Sequence, residues 1–293
     1  MKLFDLHCDT AFEIWKKGES LRHNTCHIAL DRAEAFEAYT QVLAIWSEDG
    51  LSDEDAWKQF CLIEDYLKKD NARASFFTPV LAVEGAQLLA GKLDRVDELY
   101  RRGVRILTLV WGGMSCIGGA FDDGAGLTGF GREVLQRCFS LGIVPDLSHA
   151  SDALFRDVTV LAEDAGKPVI ASHSCSRQLC PHMRNLTDGM FRTIAELGGV
   201  VGVNLVRSHL GGEVCGMDRV AEHLMHFVHI GGEDVVCLGC DMDGTSPLPD
   251  GIGGVEDLPK LYDKVCEVAH SQRIADKIFY SNAQNFFERW IRV

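Results

Sequence analysis

The feature that most constrains the fold of this chain is a regular alternation of short apolar segments with longer segments of helical periodicity. Eight apolar segments rich in β-branched residues follow one another at 3–9, 40–46, 77–85, 104–111, 143–149, 168–173, 199–205 and 234–241. Nearly continuous apolar strands that alternate with helices are typical of a parallel sheet covered by helices. Eight such strands predict an α/β fold that closes into a (β/α)8 barrel of the TIM type.

Helix-like segments separate the predicted strands and also follow the last of them. They lie at 53–70, 93–102, 131–141, 151–165, 189–197, 217–230, 255–270 and 281–290. The final segment has Phe286, Phe287 and Trp290 on one apolar stripe, so we expect it to pack on the outside of the barrel. Because no linker, repeat or block of charge divides the 293 residues, one barrel domain over 1–293 is predicted.

Composition and charge exclude several classes of protein. A hydrophobic content of 46% supports a large core, and the net charge of −14 with scattered Lys and Arg argues against nucleic acid or an anionic membrane as a partner. The eleven cysteines form no dense framework, which is typical of reduced thiols. The first residues, MKLFDLHCDT, do not resemble a signal peptide, and no stretch approaches the roughly 18 apolar residues of a membrane span. A soluble cytoplasmic protein is expected.

Unusual polar residues stand where the predicted strands end. These residues are His7, Asp9, Glu84, His149, His173, Asp241 and Asp243. The carboxyl ends of the strands form the face on which barrel enzymes build their sites. Side chains alternate along a strand, so His7 and Asp9 share a face. We therefore expect the whole set to meet at one end of the barrel.

The composition of this set indicates a metal site. A single histidine or glutamate at a strand end is usually structural or solvent-exposed. Five of these residues, the three imidazoles with the carboxylates of Asp9 and Glu84, together require either buried partners or a metal. Nitrogen and oxygen ligands without cysteine suit Zn²⁺, and leave Mn²⁺ and Fe²⁺ open. Since a catalytic zinc takes fewer than five protein ligands, two ions that share a bridging carboxylate are predicted.

A second group of histidines is interpreted as structural. His223, His226 and His229 have helical spacing within the predicted helix 217–230. On an acidic amphipathic helix, this spacing is more typical of a solvated edge than of a metal site.

Motifs around the strand-end residues occur in a specific order along nearly the whole chain. They are DLHCDT at 5–10, AVEGA at 82–86, GLTGFGREVL at 126–135, DLSHAS at 146–151, ASHS at 171–174, RNLTD at 184–188, VAEHLMH at 220–226 and GCDMDG at 239–244. Their order and phasing resemble the membrane (renal) dipeptidase family of zinc metallopeptidases, including its bacterial members. The resemblance implies a barrel with two zinc ions. It also implies that His7 and Asp9 hold one ion, that His149 and His173 hold the other, and that Glu84 bridges both.

The resemblance also implies roles in substrate binding. Arg184 would bind the substrate carboxylate, for which a planar guanidinium is suited. Asp241 would be the acid/base aspartate near the substrate amine, whereas Asp243 has no role in the family pattern. Trp111 stands where many members carry a histidine that contacts the developing oxyanion. An indole offers an N–H donor but no base, so Trp111 is predicted to line the substrate site and to alter it.

Three functions are compatible with these residues. The first is a zinc dipeptidase that uses a metal-bridging hydroxide, with Asp241 and Glu84 as catalytic groups and a small dipeptide as substrate. The second is a binuclear amidohydrolase that acts on another small amide, such as an N-acyl amino acid. The third is a binding protein that retains the metal but has no catalytic activity, in which Trp111 marks the loss of that activity. A homodimer is implied by the family only.

Overall fold

A computed structural model of the chain describes residues 1–48, 50–70, 74–212 and 214–291. Within these ranges the strands are β1 Lys2–Cys8, β2 Ala38–Trp46, β3 Phe77–Glu84, β4 Val104–Thr108, β5 Val144–Asp146, β6 Val201–Val203 and β7 Val236–Leu238. All strand pairs are parallel, and the order in the sheet is β5-β4-β3-β2-β1-β7-β6. The last four strands are shorter than predicted, and in β5 and β7 the chain leaves the sheet before the polar residues His149 and Asp241.

The predicted sixth strand, 168–173, is not a regular strand, yet it joins the two edges of the sheet. Ile170 exchanges two backbone hydrogen bonds of 2.8 and 3.1 Å with the main chain at β5, and Ala171 exchanges two of 2.9 and 3.2 Å with the main chain at β6. The next backbone N–H, that of Ser172, binds the Asp146 carboxylate instead of a neighbouring strand. The prediction of an α/β barrel is therefore confirmed, with an irregular segment in the sixth position.

Helices follow the strands and cover the outside of the sheet. They are α1 Thr10–Lys17, α2 Asp53–Lys69, α3 Asp94–Arg101, α4 Gly129–Leu141, α5 Asp152–Ala165, α6 Asp188–Glu196, α7 Arg207–Leu210, α8 Met217–Phe227, α9 Leu258–Ala269, α10 Gln272–Asp276 and α11 Asn282–Trp290. Five of them begin after a hydroxyl side chain that accepts a backbone hydrogen bond from the first turn; these caps are Ser52, Thr128, Ser151, Thr187 and Ser271. No helix in the described ranges combines the length and the apolar character that a bilayer span requires.

Helix α1 was not among the predicted helices. It has only eight residues and starts directly after the polar end of β1, so the helical period repeats barely twice. Phe12 and Ile14 are buried on its inner face, and it ends at Gly18, whose φ of 69° is left-handed. This glycine was the available signal, because a left-handed residue just after a helix is usually glycine.

Helix α11 does not pack on the outside of the barrel, so that prediction is wrong. Phe286 and Phe287 belong to the same buried cluster as the inward-facing side chains of the strands. The ring of Phe287 lies 4.6 Å from that of Phe4 in β1, centroid to centroid. The helix therefore closes the amino-terminal end of the barrel, opposite the end at which the polar strand-end residues lie.

The prediction of a solvated edge is wrong for His223. This side chain is fully buried in α8. Its Nδ1 accepts a hydrogen bond of 3.1 Å from the backbone N–H of Ser176, and its Nε2 lies 3.1 Å from the backbone oxygen of Leu210. A neutral imidazole satisfies both groups at once, which explains a histidine in an otherwise apolar position. His229 is exposed, as predicted.

Candidate active site

Six side chains from five places around the barrel meet in one cluster at its carboxyl-terminal end. The cluster comprises all five predicted metal ligands and the predicted acid/base aspartate: His7, Asp9, Glu84, His149, His173 and Asp241. His7 lies within β1 and Glu84 ends β3, whereas His173 ends the irregular sixth segment; the others follow β1, β5 and β7. This convergence follows from the parallel sheet, whose carboxyl ends share one face.

One carboxylate oxygen lies at the centre of the cluster. Glu84 Oε1 is 3.5 Å from His7 Nε2, 3.0 Å from His149 Nε2 and 3.3 Å from His173 Nε2. Asp9 Oδ2 lies 3.5 Å from His7 Nε2 on the side of β1. Glu84 thus belongs to two groups of potential metal ligands, one with His7 and Asp9 and one with His149 and His173.

A third potential group combines His7 and His173 with Asp241. Asp241 Oδ1 is 3.9 Å from His7 Nε2, farther than the oxygens of Asp9 and Glu84. Asp241 also lines the cavity above the cluster, so its carboxylate is accessible to a ligand from that side.

Burial raises the pKa values of the acidic groups in the cluster. Burial, together with the neighbouring carboxylates, raises the pKa of Asp241 well above its ordinary value, and burial raises the pKa of Glu84 and Asp9. Burial alone would lower the pKa of His7, but the surrounding carboxylates outweigh it and raise that pKa to about 10. An imidazole that holds a proton so strongly indicates that this site requires positive charge.

The other two imidazoles of the cluster are neutral. Burial, and then the positive charge of Arg184, lowers the pKa of His149 well below its usual range. Burial, and then the charge on His7, does the same for His173. A neutral imidazole keeps a lone pair on one nitrogen, which is the form that binds metals.

Hydrogen bonds from outside the cluster orient both neutral imidazoles. His149 Nδ1 lies 2.8 Å from the backbone oxygen of Trp111, which can only accept. His173 Nδ1 lies 2.8 Å from Ser172 Oγ, and that hydroxyl donates to Asp146 Oδ2 at 2.6 Å. Each Nδ1 therefore carries the proton, and each Nε2 lone pair faces Glu84. Fixing the tautomer of a metal-binding histidine in this way is a common function of surrounding residues.

We predict that Ser172→Ala weakens metal binding about 10- to 100-fold, because it breaks the link between Asp146 and the His173 ring. The measurement is the dissociation constant for Zn²⁺ by competition with a chelator. Ser174→Ala is the matched control: Ser174 is equally buried beside His173, and its hydroxyl has no partner among the described residues. Equal metal affinity of the two variants would contradict a role of Ser172 in orienting the ring.

Backbone strain and close contacts shape the same site. His149 and Asp241 have left-handed φ values of 69° and 59°, which are uncommon for residues with side chains and concentrate at functional sites. A Cβ atom at Gly244 would collide with the carboxylates of Asp9 and Asp241, so only glycine lets this loop lie against them.

The residues of the cluster fit a divalent metal. His7 Nε2 and Asp9 Oδ1 are buried and have no hydrogen-bond partner among the described residues. Such orphaned polar atoms are rare in folded proteins unless an ion or water binds them. The available ligand atoms are imidazole nitrogens and carboxylate oxygens, a set that suits zinc and similar divalent ions.

A cavity of about 400 Å³ lies above the cluster. Arg184 lines it, although its side chain is only 5% exposed. Within the described residues no carboxylate pairs with this guanidinium, and its Nη1 has no hydrogen-bond partner. A buried, unpaired cation is costly unless a ligand neutralises it. Arg184 is therefore placed to bind an anionic group in the cavity.

Aromatic side chains form another part of the cavity wall. Trp111 lines the cavity as predicted, and its ring centroid lies 6.0 Å from that of His149 and 5.4 Å from that of Trp46. The ring of Phe12 is 5.1 Å from Trp46. Trp46 was not predicted to line the site. It ends β2, and the carboxyl ends of the strands are the positions at which site residues are expected.

Asp243 has a structural role at the same strand end. Its carboxylate accepts a hydrogen bond of 2.5 Å from Thr10 Oγ1 and one of 2.7 Å from the backbone N–H of His27. It thereby connects the start of α1 to the loop before β2. This use of both oxygens explains a second acidic residue close to Asp241.

The chain was compared with known proteins at the levels of family, sequence and fold. The model of a family described as membrane dipeptidase, peptidase family M19, matches residues 62–290. An uncharacterised protein of the pqqA 5′ region of Klebsiella pneumoniae is 33% identical over 227 residues, which cover 73% of this chain and 80% of that protein. An uncharacterised dipeptidase of Schizosaccharomyces pombe is 34% identical over 199 residues, which cover 64% of this chain and 46% of that protein.

Solved structures share the same fold over the full length. The M19 metallopeptidase called dipeptidase AC has a TM-score of 0.89 and 25% identity, with 100% of this chain and 99% of that one covered. A metallopeptidase from Rhodobacter sphaeroides, bound to a phosphinate mimic of the dipeptide L-Ala-D-Ala, has a TM-score of 0.88 and 24% identity, with 99% of both chains covered.

Proposed function

The chain belongs to the membrane dipeptidase family of metallopeptidases, peptidase family M19, and on this premise we propose that it is a zinc dipeptidase that hydrolyses small dipeptides. The observation that carries the proposal is the joint presence in one cavity of the Glu84-centred cluster and the unpaired guanidinium of Arg184. The first supplies ligands for metal-assisted hydrolysis, and the second supplies a partner for the free carboxylate, which in a dipeptide lies one residue beyond its only peptide bond.

We propose two zinc ions in this cluster. His7 and Asp9 would hold one ion, His149 and His173 the other, and Glu84 would bind both. Bound there, the ions would supply an activated water and a Lewis acid for the carbonyl oxygen. Three carboxylates share this buried site with a single guanidinium, and two divalent cations would reverse that excess of negative charge. The resulting positive field would favour the carboxylate end of a zwitterionic dipeptide, within a protein whose net charge is −14.

Arg184 and Asp241 carry opposite charges and would orient the substrate by binding its two ends. The carboxylate of a dipeptide would lie against the Arg184 guanidinium, which can donate two parallel hydrogen bonds. The free amine would lie near Asp241, whose carboxylate also faces the cavity. With both ends held, the peptide bond between them would lie over the metal cluster. Asp241 is also close enough to the cluster to pass a proton to the nitrogen of the leaving amine, as a general acid.

The test is the substrate range of the zinc-reconstituted protein. Metal content should be close to two ions per chain. An unmodified dipeptide such as Ala-Ala should be hydrolysed, whereas its N-acetylated and its C-terminally amidated forms should react much more slowly, since each lacks one of the two charges that Asp241 and Arg184 bind. Initial rates at equal substrate concentration give the comparison, with chelator-treated protein as the blank.

Other outcomes identify the alternative functions. Hydrolysis of N-acetyl dipeptides or N-acyl amino acids as fast as dipeptides would replace the proposal by an amidohydrolase in which Asp241 binds no amine. A protein that retains two zinc ions but hydrolyses no small amide would be a non-catalytic binding protein. Metal content well below two ions would contradict the binuclear site itself.

A further inference from the structure

His209 lines the same cavity as Arg184, and the mechanism proposed above does not use it. It lies in the short helix α7, and its ring lies beside that of His182, tilted by 45° with the centroids 4.6 Å apart. The backbone oxygen of His209 accepts a hydrogen bond of 2.7 Å from Asn185 Nδ2. Asn185 directly follows Arg184, so one hydrogen bond holds the main chain of His209 against the segment that carries the guanidinium.

The amide of Asn204 determines which nitrogen of His209 carries the proton. Asn204 Oδ1 accepts a hydrogen bond of 3.2 Å from the backbone N–H of Val206, and Asn204 Nδ2 donates one of 3.1 Å to the backbone oxygen of His173. Rotating the amide by half a turn would set two oxygens, and two N–H groups, against each other. The orientation is therefore fixed by main-chain groups, which cannot change their hydrogen-bonding character.

With the amide fixed, its second N–H is directed at His209 Nδ1, 3.1 Å away. Nδ1 must accept this hydrogen bond, so the proton of the neutral ring is on Nε2. Burial, and then the positive charge of Arg184, lowers the pKa of His209 to about 2, which keeps the ring neutral. Among the described residues no group accepts a hydrogen bond from Nε2–H. The cavity thus contains two unpaired donors, the Arg184 guanidinium and this N–H.

We propose that His209 is a second substrate-binding residue, which donates its Nε2–H to the carboxylate that Arg184 binds. This inference rests on the proposed function, because it concerns the same dipeptide carboxylate. A carboxylate has about four acceptor positions, so it can take hydrogen bonds from both side chains. A neutral donor adds a hydrogen bond without adding a second cation beside Arg184. It also selects against a carboxamide, whose NH₂ would face the N–H of His209 with no acceptor between them.

The experiment measures binding rather than turnover. The probes are two phosphinate mimics of a dipeptide that differ only at the C-terminus, one with a carboxylate and one with a carboxamide. Their dissociation constants for the zinc-reconstituted full chain are measured by calorimetry. His209→Phe keeps a ring but removes the donor, and should weaken the carboxylate probe about 10- to 100-fold while changing the carboxamide probe less than about 3-fold. His209→Gln keeps an N–H donor and should restore most of the loss.

A matched variant serves as the control. His229→Phe makes the same substitution at an exposed histidine of another surface and should change neither constant. Far-UV circular dichroism and zinc content establish that each variant is folded and loaded.

Each result has one meaning. Equal weakening of both probes by His209→Phe, or no weakening of either, would overturn the role of His209 and leave the proposed function standing. Failure of the unmodified protein to bind either probe would overturn the proposed function, and the role of His209 with it. Selective loss in His209→Phe, with recovery in His209→Gln, is the result expected.

Discussion

Replacing Glu84 by glutamine is expected to remove most of the bound zinc and to lower kcat/KM for a dipeptide by on the order of 10³-fold or more. Glu84 Oε1 lies within 3.5 Å of three imidazole nitrogens, so both predicted metal positions depend on it. Glutamine has nearly the same shape, but its neutral amide is a weak metal ligand. Elemental analysis after dialysis and initial-rate kinetics would measure the two effects.

The matched control for this substitution is Glu64→Gln. Glu64 is also a buried carboxylate, but it lies in α2 and pairs with Arg102 at 2.9 Å, away from the cluster. Its loss should reduce thermal stability, because it removes the ion pair with the partly exposed Arg102, and should leave the zinc content unchanged, because Glu64 touches no residue of the cluster. A Glu84→Gln protein that keeps two zinc ions and most of its activity would contradict the binuclear site centred on Glu84.

Asp241→Asn is expected to retain zinc and to lower kcat for Ala-Ala by about 10²- to 10⁴-fold, the range typical of a lost general acid. Asparagine keeps the size of the side chain but cannot give up a proton. The loss should be much smaller for alanyl-4-aminobenzoate, whose weakly basic leaving amine departs with little need for protonation. The comparison of the two substrates thus separates proton transfer from mere binding of the amine.

Asp243→Asn serves as the control at the same strand end. Because Asp243 accepts hydrogen bonds from Thr10 and from the backbone of His27, its substitution should lower the melting temperature and affect both substrates equally. An equal loss on both substrates in Asp241→Asn would instead assign Asp241 to amine binding. Loss of zinc in that variant would identify it as a metal ligand, consistent with its distance of 3.9 Å from His7.

The sequence pattern was sufficient to predict which polar residues become neighbours. Parallel strands bring their carboxyl ends to one face of the barrel. A residue at the end of an apolar segment, such as Glu84 or His173, therefore lies on that face. The alternation of side chains then selects His7 and Asp9 from β1. Their assignment as metal ligands stays a prediction, because position does not by itself identify the bound ion.

Contacts between distant segments could not be predicted from the pattern. Asn204 lies near the end of the predicted strand 199–205, and His209 lies in a segment with no apolar period. Their roles follow only from hydrogen bonds between them and to the main chain at Val206 and His173. The left-handed φ of His149 is likewise imposed by its surroundings, since local propensity disfavours it. Such features depend on which loops the barrel brings together.

The position of helix α11, which was predicted wrongly, shows a different limit of prediction from sequence. The apolar stripe with Phe286 and Phe287 correctly indicates a buried face, but a stripe contains no information about the surface that covers it. The outer layer and the open amino-terminal end of the barrel both offer apolar surface. Contact with Phe4 in the interior decides between them, and this contact joins the first strand to the last helix.

Helix α11 closes one end of the barrel, which limits the route by which substrate and products can move. Apolar side chains fill the barrel interior between α11 and the polar cluster, so in the described part of the chain the cavity above Glu84 is a dead end with its entrance on one side. Both amino acids formed by cleavage must leave by the route through which the dipeptide entered. If Arg184 binds the substrate carboxylate as proposed, the amino acid that carries this carboxylate is expected to leave last, because Arg184 is buried.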